Sequence, residues 1–347
     1  MSEGPRNEAT LKSIPSESDA VVRRLVEWYF RTVYGKWEGP GVLPFYCDAA
    51  RVGQFAVDVN ELAKGERASI FRLLVTLAMF QARPDVRVMA QLRGMTRVRS
   101  NSLVSPNTLR RRISANECPC LVNAILFDAE CSVTRVGSIV DCTHRPAQYC
   151  HVKEASSLLR RTGDMGKLPT SAYIHLWPAL VSGMLAAGPI AAATGPVERA
   201  HAMVRQVSRI YRIGQKLATM FVSALSTPAL APGATPWFPY LDGSALVVVD
   251  TNVARAVDAL RGPGAAQSYE SRAAWVFERA ALIDLRVYSP DLPPRSPRLV
   301  QQALYTFCSR SNRKARGDLC DSTGCPASSL CPFCSAIPSA KRDHRRA

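Results

Sequence analysis

The chain has 347 residues and a formal net charge of +16, with 47% hydrophobic and 21% charged residues. That length suits one large domain or two ordinary ones, and the hydrophobic share suits a globular core, which excludes a wholly disordered chain. The charge draws the protein to polyanions, with nucleic acid the foremost partner and an anionic membrane surface the rival.

Residues 1–20 are polar and charged and read as a disordered tail without a secretory signal, so a reducing cytosol is expected, with nucleoid association if the chain is bacterial. Residues 21–37, VVRRLVEWYFRTVYGKW, space apolar side chains as a helix does, and Gly39-Pro40-Gly41 with Pro44 then break the chain. Residues 67–80 form a strongly apolar helix that runs into Gln81. Pro84 ends or redirects it, and Asp85 can cap the following helix, VRVMAQLRG. The arginine-rich segment 97–115 reads as exposed and basic.

Residues 116–165 carry Cys118, Cys120, Cys131, Cys142, His144, Cys150 and His151, and their β-branched residues hint at local strand. The spacing is irregular, so buried free thiols and a second metal site both fit. Residues 170–226 return to helix with Gly/Pro breaks near 188–196. The apolar run from Leu176 to Gly195 is read as buried alanine-rich helix rather than as a membrane span. A Pro-, Gly- and aromatic-rich loop at 227–245 precedes ALVVVDTNVARAVDALRG, a short apolar run followed by an amphipathic helix that stops at Gly262. A proline-rich linker at 289–297 leads into the last helix and then a segment with Cys308, Cys320, Cys325, Cys331 and Cys334; residues 336–347 are a basic tail. Thiols this close together favour zinc or an iron–sulfur cluster over hard cations, with disulfides the alternative.

The order of three segments resembles the helix-hairpin-helix DNA glycosylase superfamily, of which endonuclease III is the type member. They are VTLAMFQARPDVRVM, then IYRIGQKLATMFVSAL with VVVDTNVARAV after it, then the cysteine segment. The resemblance covers roughly residues 65–95 and 196–335. It implies a mainly α, two-lobed fold: a helical barrel over 60–244 with the Cys-rich insertion, and a cluster domain made of 21–59 plus 245–335. It also implies double-stranded DNA with a flipped-out base as the partner.

The site residues follow from that resemblance. Gln81 fills the space that the flipped nucleotide leaves. Lys216 falls where bifunctional members keep a Schiff-base lysine; read by itself it is either a solvated helix lysine or an amine nucleophile. Asp250, by itself an N-cap or a ligand-facing carboxylate, becomes the group that stabilises positive charge on the sugar. Gly214 lets a DNA phosphate approach the hairpin backbone. Tyr211 and Arg212 replace the usual Pro-Gly, so Arg212 is expected not to copy that hairpin geometry, although its charge, like that of Arg255, can meet a phosphate.

Cys308, Cys320, Cys325 and Cys331 carry over as ligands of a [4Fe–4S] cluster, with zinc as the alternative metal and Cys334 as an alternative ligand to Cys308. The cluster would hold Arg310, Arg313, Lys314 and Arg316 on a rigid loop facing phosphates. Trp237, Phe238 and Tyr240 are candidates to stack on the base. The reading is a DNA N-glycosylase, with AP-lyase activity if Lys216 is a nucleophile. Its rivals are a non-catalytic DNA-binding protein on the same scaffold and a zinc-ribbon interaction protein.

Overall fold

The computed structural model describes residues 17–81, 85–115, 119–121, 123–131, 150–159, 163–183 and 188–317. The described chain is mainly helical and holds no strand. In order, the helices are α1 (Glu17–Thr32), α2 (Ala49–Val52), α3 (Val59–Ala63), α4 (Arg67–Met79), α5 (Asp85–Arg93), α6 (Arg97–Val104), α7 (Pro106–Ser114), α8 (Ala124–Glu130) and α9 (His151–Leu158). They continue with α10 (Lys167–Ser182), α11 (Gly188–Ala191), α12 (Pro196–Val207), α13 (Gln215–Ser226), α14 (Thr251–Arg261), α15 (Tyr269–Ala280), α16 (Pro297–Cys308) and α17 (Arg310–Ala315). None of them is long and apolar enough to cross a membrane.

Local signals explain most boundaries. Thr96 caps α6 by accepting from Arg99 N–H, and Ser105 caps α7 by accepting from Thr108 N–H, with Pro106 at the first helical position. The segment 97–115 forms two helices: Arg97, Arg99, Arg110 and Arg111 are exposed, as expected of a basic segment, while Ser100, Leu103, Val104 and Leu109 are buried. Within 116–165 the described residues include the helices α8 and α9, and Asn123 caps α8 through Leu126 N–H at 2.9 Å. Residues 132–149, which carry most of the β-branched side chains behind the expected strand, lie outside the described residues. α1 begins at Glu17, inside the expected tail; Glu17 and Asp19 place negative charge at its N-terminus.

Apolar side chains segregate into two large cores. One gathers α4 to α7, α10, α12 and α13; the other gathers α1, α14, α15 and α16 with the run Val247–Val249. The chain from Tyr46 to Val57 joins the first core rather than the second: Tyr46, Val52, Phe55 and Val57, expected in the second lobe, pack into the first. Arg72 Nη1 anchors that segment by donating to the Gln54 and Ala56 carbonyls.

The cores join at a polar seam. Arg298 on α16 donates through Nε to Ser223 Oγ on α13 at 2.7 Å, and through Nη1 to Gln301 Oε1 and Gln302 Oε1 at 2.6 and 2.8 Å. Gln302 passes the network to Glu38, which also accepts from Tyr29 and Thr306 hydroxyls. A third, small core holds Cys120, Leu121, Phe127, Cys131 and Val152.

Candidate active site

The hairpin between α12 and α13 is anchored from below. Ile210 and Ile213 are buried, Ile213 N–H donates to Ile210 C=O at 2.9 Å, and Tyr211 N–H donates to Ser171 Oγ at 3.0 Å. Between the two isoleucines, Arg212 sits at φ 63°, alone among the described non-glycine residues in a left-handed conformation. Such a conformation costs a side-chain-bearing residue about 1–2 kcal/mol. Burying two isoleucines returns about 1.5–3 kcal/mol each, so the anchors win. Arg212 thus takes up a backbone conformation that glycine adopts more readily. What its side chain removes is room for close approach to the backbone.

Gly214 follows as the N-cap of α13, with φ −74° and no side-chain cap. It is exposed, and a Cβ added there would meet nothing within 4 Å. Neither packing nor backbone torsion within the chain calls for glycine at this place. The bare N-terminus of α13 is thus open to an anion from outside.

Lys216, half-buried, lies in the first turn of α13. Asp250 is the N-cap of α14: Oδ1 accepts from Val253 N–H at 2.8 Å, and Oδ2 accepts from Asn252 Nδ2 at 3.3 Å. The cap is worth about 1 kcal/mol, and it fixes the carboxylate's orientation. Asp85, at the start of α5, shares this neighbourhood. Burial pushes its carboxyl up from the ordinary range, Lys216 opposes the shift and Asp250 adds to it. A carboxyl that holds its proton longer than usual, beside an amine, can exchange that proton with it.

Tyr305 of α16 completes the group. Burial raises its phenol to about 12, with Asp85 and Asp250 adding to the shift, and its oxygen accepts from Asn312 Nδ2 at 3.2 Å. Sequence reasoning gave Asp85 only a capping role and did not single out Tyr305 at all. The acid four residues after Gln81 was a usable signal for the first; the second had none.

Comparison of the chain with protein-family models, curated proteins and solved structures finds no match.

The remaining expected residues divide. Gln81 is half-buried and its Nε2 donates to Ala78 C=O at 2.8 Å, so its amide closes the end of α4. Arg255 is exposed on α14. Arg313 is fully buried, its guanidinium 4.5 Å from the Phe307 ring centre and 5.8 Å from that of Trp28. That corrects its expected place on a phosphate-facing loop: stacking on two rings holds it in the second core. Residues 310–315 are the helix α17, and the Arg310 and Lys314 side chains lie outside the described atoms.

Trp237 is also buried, edge-to-face with Phe221, which removes it as a stacking surface; Phe238 and Tyr240 are exposed. The long 227–243 loop returns to its origin, with Gly243 N–H donating to Ser226 C=O at 2.9 Å. A Cβ on Gly243 would meet Ser226 Oγ at 2.5 Å, so glycine is needed for this closure. The loop is therefore pinched off at the end of α13 remote from Lys216.

Of the expected cluster ligands, Cys308 is the described one. It is buried at the end of α16. Cys320, Cys325, Cys331 and Cys334 lie outside the described residues, as do Cys118, Cys142 and His144 of the insertion and the basic tail 336–347. Among the described residues no three His, Cys, Asp or Glu side chains form a metal-binding group.

Proposed function

We propose that the chain is a DNA N-glycosylase that acts on an extruded base, with associated lyase chemistry through Lys216. The observation that carries this reading is the convergence of Asp85, Lys216, Asp250 and Tyr305. These residues come from the starts of α5, α13 and α14 and from α16, and their charges act on one another. The open N-terminus of α13 beside them suits a DNA phosphate, and Arg212 and Arg255 add positive charge.

In this reading the N-glycosidic bond breaks with its electron pair leaving on the base. Asp250 carboxylate stabilises the positive charge left on the sugar. Lys216, as neutral amine, attacks the anomeric carbon, and its displaced proton passes to a neighbouring carboxylate, for which Asp85 is suitably placed. Cys308, Cys320, Cys325 and Cys331 would hold a [4Fe–4S] cluster, or zinc in its place, with Cys334 the alternative to Cys308. A buried sulfur at the end of α16, where the chain enters its cysteine-rich segment, suits one such ligand. When bound, the cluster fastens that segment to the second core.

The test is a panel of duplexes carrying uracil, oxidised, alkylated or mismatched bases. The parent protein should release one class of base, and Asp250→Asn should lose release by 100-fold or more, on the order of an electrostatic catalytic group, while still binding the duplex. Release by neither protein, with salt-dependent duplex binding retained, would favour a non-catalytic DNA-binding protein.

A further inference from the structure

The segment that delivers Asp250 raises a physical problem. Val247, Val248 and Val249 are buried, yet among the described residues no neighbouring strand pairs their peptide groups. Buried N–H and C=O groups without partners are costly. Side chains supply the partners instead. Tyr269 Oη donates to Val247 C=O at 2.8 Å and accepts from Val249 N–H at 3.3 Å. On an extended chain these two groups point to the same side, so one hydroxyl can close both. Gln301 Oε1 accepts from Val248 N–H at 3.3 Å on the other side.

Both latches lead back to the helix that carries Lys216. The Thr219 hydroxyl, one turn beyond Lys216 on α13, opposes part of the burial effect on the Tyr269 phenol and donates to Gln215 C=O at 2.7 Å. Gln301 is held by Arg298, which reaches Ser223 on the same helix.

We infer that Tyr269 is a positioning residue for the reaction: its hydroxyl sets the register of the Asp250 carboxylate against Lys216. It clamps the peptide groups just before Asp250, on the segment that Gln301 and Arg298 tie to α13. Burial pushes the Tyr269 phenol up, so its proton, and with it the bond to Val247, persists across the neutral pH range. The inference rests on the glycosylase reading for its chemical consequence, and on the hydrogen bonds alone for the clamp.

The test is Tyr269→Phe, which removes one oxygen and keeps the ring. Single-turnover base release should fall about tenfold or more, because catalysis is steep in the placement of reacting groups. Duplex affinity should stay within about twofold, since the clamp contacts no DNA. Amide hydrogen exchange should rise at Val249 and Val253 and stay unchanged through α1 and α16. Unchanged exchange at Val249 and Val253 would overturn the clamp. A uniform rise through the second core would also overturn it, by reducing Tyr269 to a packing residue.

If the parent releases no base, the glycosylase reading has failed, and exchange alone then decides the clamp. If Tyr269→Phe does not fold, Thr219→Val carries the test. It should slow base release, without loss of duplex affinity, while Val249 exchange stays as in the parent; an unaltered release rate would overturn the link to α13.

Discussion

Two lysines, Lys167 and Lys216, stand at the beginnings of neighbouring helices and meet opposite surroundings. Lys216 is half-buried, and a carboxylate, Asp85, feels its charge. Lys167 is buried at the start of α10. Its ammonium donates to Cys131 C=O at 2.5 Å and sits 4.8 Å from the Phe127 ring centre and 5.0 Å from that of Tyr211. A carbonyl and two ring faces attract a cation but take no proton from it. The first lysine is therefore the one that the proposed chemistry uses. The second is a prop that ties the insertion, through Cys131 and Phe127, to Tyr211 of the hairpin.

The largest expected effect separates the two by role. Borohydride added during turnover should trap a covalent protein–DNA adduct in the parent, and Lys216→Ala should abolish it with little change in denaturation midpoint. Lys167→Ala should do the reverse. It should retain the adduct but lose about 2–4 kcal/mol of stability through the vacated space and the orphaned carbonyl. Loss of trapping in Lys167→Ala at a temperature where that variant is folded would erase the distinction.

Next comes sulfur, which sharpens the same contrast between the site's lobe and the insertion. Cys308 and Cys131 are both buried cysteines, in the second and third cores respectively. Purified anaerobically, the protein should hold about four irons, as a single cubane cluster does. Cys308→Ser should lose most of them together with stability, and Cys131→Ser should keep them. Elemental analysis of the two variants decides this; stoichiometric zinc without iron would reject the cluster.

The smallest expected effect concerns pH at the insertion. Burial pushes His151 down from its ordinary 6.5 to about 4. Glu154, 3.8 Å from Nδ1, acts the other way, but Arg112 also pairs with that carboxylate, and burial prevails. Above about pH 6.5 the imidazole is neutral in both folded and unfolded chains. As pH falls from there toward 4, the unfolded chain takes up the proton first, so stability declines, by at most on the order of 3 kcal/mol, and levels off below. Denaturation midpoints at neutral and acid pH should show this slope in the parent and less of it in His151→Gln.

The sequence made visible whatever depends on near neighbours. The helical spacing of 21–37, the apolar run into Gln81, and the Asp250 start and Gly262 stop of α14 are all local patterns, and helices form on local hydrogen bonds. What it concealed depends on distant partners. Arg212 looks unfit for its turn until Ile210 and Ile213 are seen buried on either side. Arg313 looks like a surface cation until Trp28, nearly three hundred residues earlier, comes to lie against it. Asp85 became a candidate only because the charges of Lys216 and Asp250, far off in the chain, act on it, and Tyr269 only because a buried extended segment has no neighbouring strand among the described residues.

The pinched loop at 227–243 has a consequence for how this surface can diversify. Ala231, Ala234, Trp237 and Leu241 sink into the first core like the studs of a plug, while Pro232–Gly233 and Phe238–Tyr240 stay outside. The chain leaves and rejoins α13 at a single gate, between Ser226 and Gly243. Changes at the two exposed crests need not propagate through that gate to the lysine at the other end of the helix. The crests are thus a place where the protein can acquire new surface chemistry while the register between Lys216 and Asp250 is inherited unaltered.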